Sequence, residues 1–272
     1  MMYEFECLRP ITVSLRVGGG SAEIVAEERA TATVEVTPFD GSESARNAAA
    51  RTRVELTGDT LLVEAPEWTG LLFRRGQRVR VTIRVPADGD LNVTVASANV
   101  RAAGRYRNAK ITSSSGNMSV DHIGGDASVT TASGGVRVDR VDGNLRVNSA
   151  SGKLSVGAVG GQVSARTASG DVTIDRVGGS LDGMTASGDI RVGAAVTGMM
   201  RVRSASGDVS VGVVGGTGVW LDLNSASGAT RTDLAMPAGG EQLRSTATLT
   251  VQVRTASGDI DVYRVQERAE AA

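Results

Sequence analysis

Three aspartates, Asp171, Asp189 and Asp208, each follow a Ser-Gly pair at intervals of 18 and 19 residues. If copies of that motif stack at the strand spacing of about 4.8 Å, their carboxylates lie close enough for two kinds of chemistry. Carboxyl pairs about 5–9.5 Å apart hydrolyse glycosidic bonds. Clustered carboxylate oxygens also hold hard divalent cations such as Ca²⁺. A third reading needs no ligand, because Asp after Gly is a common turn residue that bonds nearby backbone. The equivalent positions elsewhere are Asn117, Gly135, Lys153 and Ala229, and an acid returns only at Asp259. Turn formation is therefore the first expectation, a weak divalent-ion site the second and catalysis the last. No cofactor is expected.

Other catalytic arrangements lack their parts. The 272 residues hold one Cys (Cys7) and one His (His122). That excludes a disulfide framework, a Cys/His zinc site and a Ser-His or Cys-His relay within one chain. His122 falls at a bend and is expected to be solvated. The Ser of each Ala-Ser-Gly has no recurring base beside it and reads as a turn residue, not a nucleophile. Lys plus Arg (29) and Asp plus Glu (30) nearly cancel, so no bulk field attracts nucleic acid or an anionic membrane. Arg137, Arg146, Arg166, Arg191, Arg201 and Arg203 scatter over outward positions without interleaved aromatics, against nucleic-acid binding. The first residues are acidic and lead into no apolar h-region, and no window is long and apolar enough to span a bilayer. These features predict a cytoplasmic protein without membrane insertion.

The elements that carry these residues follow from a repeat. Ala-Ser-Gly recurs with its Ser at 133, 151, 169, 187, 206, 227 and 257, and degenerate copies place Ser97 and Ser115 in the same phase. A second punctuation, Gly124-Gly125, Asp142-Gly143, Gly160-Gly161 and Gly178-Gly179, falls midway. Between the marks, apolar residues alternate with polar ones, as in Val136/Val138, Leu154/Val156, Val172/Ile174 and Ile190/Val192. A period of two is a half-buried strand. The Ser before each Gly continues that alternation and is expected to point inward, where stacked hydroxyls bond one another or turn amides. One unit buries about five aliphatic side chains at roughly 1.5–3 kcal/mol each. Ordering its backbone costs about 1–2 kcal/mol per residue. A unit alone therefore stays unfolded, and stacking makes it viable. With 35 Gly and only eight aromatics, the core must be thin and aliphatic.

The prediction is an all-β, single-stranded β-solenoid (β-helix) with coils of about 18 residues and two short strands per coil. Residues 1–90 form a β-rich region of irregular early rungs and cap, with strands at 11–17, 22–26, 31–37, 53–57, 60–64 and 78–85 and a helical turn at 45–51. Residues 91–265 form the regular solenoid, with insertions at 215–250, and 266–272 a charged tail. Trp68, Trp220 and the terminal insertions are expected to cap open ends, where exposed strand edges invite aggregation. The segment 68–75 mixes apolar and basic residues and reads as a cap before a partner-binding loop.

The unit TASGDVTIDRVGG resembles the β-strand-repeat family of bacterial proteins called adhesins on architecture alone, a domain of unknown function. So do LRVGGGSAEIVAEERATATVEV, RTRVELTGDTLLVEAP, RVRVTIRVPADGDLNV, VWLDLNSASGATRTDL and TASGDIDVYRV. The likeness spans nearly the whole chain, which looks particularly like the actinobacterial members. It implies a β-solenoid and brings no catalytic residues. The functional expectation is a non-enzymatic solenoid presenting a rigid binding or scaffolding surface to a protein partner or to itself. The alternatives are a cytoskeletal-type β-helix that polymerises end to end and a carbohydrate-active β-helix enzyme.

Overall fold

A computed structural model of the protein describes residues 1–66, 77–234 and 247–265. The segment 68–75, the Met236-Pro-Ala-Gly-Gly run and the tail 266–272 lie outside the described residues. The chain is nearly all β, built of long parallel sheets with no closed barrel, and is a β-solenoid with two strands per coil. It divides into two compact units, Met1–Asp139 and Arg140–Ala272.

In the second unit, Leu145–Ser149, Val163–Thr167, Leu181–Thr185 and Gly198–Ser204 stack as one parallel sheet. Leu154–Val159, Val172–Val177, Ile190–Ala195 and Val209–Val214 stack as the other. The register reproduces the repeat, with Leu145 beside Val163, Val163 beside Leu181, and Leu154 beside Val172. In the first sheet every second residue enters the core, and in the second the same alternation holds over the first three residues of each strand, which is why Val, Ile and Leu alternate with polar residues in the sequence. Ile174, Val192, Val211, Val251 and Val253 are fully buried. At the connecting bends Val159 and Val177 are buried as expected, but at 195–196 a register shift after Val192 puts Ala195 inside and leaves Val196 half-buried.

The far end departs from sequence order. Leu249–Thr255 lies between Gly198–Ser204 and Val219–Ser225, and Ile260–Val265 lies between Val209–Val214 and Thr230–Thr232. The last level made is thus the second from the end. The first unit does the same with its earliest level. Thr12–Val17 sits between Thr60–Glu64 and Leu91–Val95, and Gly20–Glu27 between Val79–Pro86 and Asn99–Tyr106. Beyond these, Ala109–Ser113 and Met118–Ile123 continue the stack, the latter with a register shift between Val120 and His122.

Antiparallel strands close the outer edge of the first unit. Thr31–Pro38 pairs with Val79–Pro86, Met2–Glu6 with Thr31–Pro38, and Arg53–Thr57 with Thr60–Glu64. The edge strands expose alternate charged residues, including Glu4, Glu6, Arg53 and Glu55, which discourages further pairing. The helix Glu43–Ala50 starts where Ser42 accepts the Ala45 N–H at 3.1 Å, and it buries Ala45, Ala48 and Ala49. It packs on Thr31–Pro38 and Val79–Pro86. Tyr106 is the one large aromatic in the described core, 1 % exposed, with its hydroxyl 3.0 Å from the Ile24 carbonyl.

Cys7 is 6 % exposed, and burial pushes its thiol above the usual cysteine range. Both effects withhold the reactive thiolate. Alkylation of native protein at neutral pH should therefore proceed only as fast as the chain opens, and at once in denaturant. Rapid labelling without denaturant would contradict this placement.

Candidate functional site

The three aspartates do lie on neighbouring levels, and each carboxylate accepts from the backbone of the next acid in the column. The Asp189 N–H donates to Asp171 Oδ1 at 3.2 Å, the Asp208 N–H to Asp189 Oδ1 at 3.0 Å, and the Asp259 N–H to Asp208 Oδ1 at 2.8 Å. Ala229, on the outermost level, donates to Asp259 Oδ1 at 2.8 Å. Each carboxylate thus anchors the next level's backbone, where the sequence suggested a bond within its own turn. Asn99 and Asn117 do the same for Asn117 and Gly135 in the first unit. Among the described residues no group of three or more His, Cys, Asp or Glu side chains converges as metal ligands. His122 is half-buried on Met118–Ile123, in register with Arg105, and engages a neighbouring group.

The serines of the repeat face outward, contrary to the alternation. Ser133, Ser169 and Ser187 are exposed, and the hydroxyl of Ser133 donates to the Ser114 carbonyl one level back at 3.2 Å. The inward hydroxyl belongs to the Thr or Ser two residues earlier. Thr167, Thr185 and Thr255 are nearly buried and accept the N–H of Gly170, Gly188 and Gly258 at 2.8–3.0 Å. The bend breaks the two-residue period because the Gly backbone turns inward against the level behind. A Cβ built on Gly188 would fall far inside contact with the Gly170 carbonyl oxygen.

The opposite bends carry a second amide-and-acid column. Asn108 Oδ1 accepts the Asp126 N–H at 3.0 Å, and Asn144 Oδ1 the Gln162 N–H at 2.9 Å. At its head, Arg107 grips Asp90 through Nε at 3.0 Å and Nη2 at 2.6 Å, and Asn108 Nδ2 adds a bond at 3.1 Å. The Arg107 hydrogen bonds hold the Asp90 carboxyl below the usual carboxylate range. A carboxyl depressed in the folded state contributes stability that is complete above its unfolded value and drains away as pH falls through the folded one. Asp90→Asn should therefore lower Tm at neutral pH, and the gap from the parent should close as pH falls below about 4. A gap that persists in acid would show that this pair contributes nothing through charge.

Among the described residues, open clefts lie on the outward sheet faces. One, of about 560 Å³ in the first unit, mixes charges of both signs from Glu23, Arg80 and Arg101 with Asn99 and Asn117. Another, of about 310 Å³ in the second unit, is lined by Arg201, Val202, Arg203, Gln252 and Arg254. The sequence hides this second grouping. Arg201 and Arg203 look isolated there, and their neighbours Gln252 and Arg254 are 51 residues away. One signal was legible: Arg203 and Arg254 hold the same phase ahead of Ala-Ser-Gly.

The Toastrack DUF4097 family matches residues 13–263. No match was found among curated proteins. A provisionally named adhesin from Parabacteroides merdae ATCC 43184 shares the fold at a TM-score of 0.50 and 10% identity, with 97% of this chain and 95% of that one covered. A protein provisionally named as lipid binding, from Parabacteroides distasonis ATCC 8503, gives 0.44 and 14% over 97% and 96% of the two chains. A provisionally named adhesin from Bacteroides fragilis NCTC 9343 gives 0.40 and 10% over 97% and 96%. No helix among the described residues is long and apolar enough to cross a membrane.

Proposed function

The chain belongs to the Toastrack DUF4097 family, and from that premise we propose that it is a non-enzymatic binding or scaffolding protein of the cytoplasm. The observation that carries the reading is the in-register parallel ladder. It fixes outward side chains on a lattice of about 4.8 Å across strands and about 6.6 Å along them. Such a surface is prepaid in conformational entropy, since its backbone does not reorder when a partner arrives. The aspartates most suited to hydrolysis are engaged with backbone amides of the next level.

The test is a screen of purified protein against arrayed glycans, lipids and peptides, read for both retention and product release. Saturable retention without product is expected. Time-dependent cleavage of any arrayed polysaccharide, abolished by Asp189→Asn, would overturn the reading in favour of a carbohydrate-active enzyme. Cell fractionation checks the compartment, and recovery at the cell surface would refute the cytoplasmic assignment.

A further inference from the structure

The cleft of about 310 Å³ in the second unit holds three guanidinium groups and one amide among its five lining residues, and no carboxylate. Its layout follows from the threaded level. Arg203 on Gly198–Ser204 stands in register with Arg254 on Leu249–Thr255, and Arg201 with Gln252. Like charges directly opposite on paired strands repel, so this arrangement is unfavourable unless something compensates it.

The compensation within the protein is slight. Among the described residues Arg201 donates to two neutral acceptors, Gln252 Oε1 and Met199 Sδ, both at 3.4 Å. Arg254 reaches Asp222 Oδ2 at 3.9 Å, the long limit of an ion pair, with its side chain 71% exposed. Met184, the register neighbour of Arg203 on its other side, offers it no charge, and Asp182 flanks Arg201 from outside the cleft lining. Two arginines in register on strands about 4.8 Å apart suit an anion with several oxygens, because a guanidinium fork binds two of them at once.

We infer that Arg203 and Arg254, assisted by Arg201 and Gln252, form a binding site for a tetrahedral oxyanion, a phosphate or sulfate group taken free or as a monoester. The inference deepens the surface reading by naming a ligand class, and it rests on that reading.

The test titrates the full chain with inorganic phosphate and with sulfate by calorimetry, at ionic strength matched with chloride. Saturable binding of phosphate or sulfate over chloride is expected. Arg203→Gln and Arg254→Gln should each weaken it about tenfold or more, as fits loss of a charge-assisted fork. Arg191→Gln, outside the cleft, should leave both binding and Tm unchanged. Equal response to chloride, or binding insensitive to both cleft variants, would overturn the site. Sedimentation with phosphatidylcholine vesicles, with and without phosphatidic acid, separates sources. Retention that needs both phosphatidic acid and Arg203 assigns a lipid headgroup, and phosphate binding without retention assigns a soluble ligand. Failure here leaves the surface reading to its own screen, and polysaccharide cleavage there refutes that reading whatever phosphate does.

Discussion

Val262→Asp is expected to strip amide-exchange protection from two levels of the second unit: its own, and the outermost level of Val219–Ser225 and Thr230–Thr232. Val262 is fully buried, in register with Val211 on one side and Thr232 on the other. A carboxyl placed there leaves water for a position whose register neighbours offer one aliphatic side chain and one hydroxyl, and the cost is about 3–5 kcal/mol. Solenoid stability sums over nearest-neighbour interfaces, so the damage travels to whatever leans on the injured level. The outermost level pairs with residues 249–265 and not with residues 198–214. Protection over 219–232 should fall by roughly a hundredfold or more. Leu223→Asp, on the outermost level itself, should expose 219–232 and leave 249–265 protected. Exchange mass spectrometry distinguishes the patterns, and identical profiles for the two variants would contradict the threaded order.

Gly188→Ala should lower stability by about 3 kcal/mol and Tm by about 10 °C, a severe response to one methyl group. The Cβ would collide with the carbonyl oxygen and carbon of Gly170, which are backbone and cannot rotate away. Relief requires prising apart two levels whose hydrogen bonds continue on both sides of the bend. Gly41→Ala is the control, because a Cβ there meets nothing within 4 Å, and a change within about 0.5 kcal/mol is expected. Equal melting of both variants would mean that the close approach of Gly188 to Gly170 does not require glycine.

The fold was legible because its core obeys a single short period. Leu145, Val163 and Leu181 are 18 residues apart in sequence and adjacent in the sheet, so counting residues was equivalent to measuring space. Counting failed where that equivalence ends. Ser169 continues the alternation on paper, but the chain turns at Gly170 and the inward place goes to Thr167. The pairings of Arg203 with Arg254 and of Thr12–Val17 with both Thr60–Glu64 and Leu91–Val95 join segments far apart in the chain. Local pattern carries no information about which distant strand lies alongside. The aspartate column was found for the right reason, stacking, but the backbone amide that each carboxylate accepts belongs to the next level and shows only in three dimensions.

Because each unit tucks its terminal coil beneath a neighbour, copy number can change only from the middle. Duplicating residues 163–180 would add one plate and leave every lateral partnership downstream intact. Duplicating residues 249–265 would have to unseat Val219–Ser225 from its one parallel neighbour. Such bookends let a unit lengthen by internal gene duplication while its closing level keeps its present form.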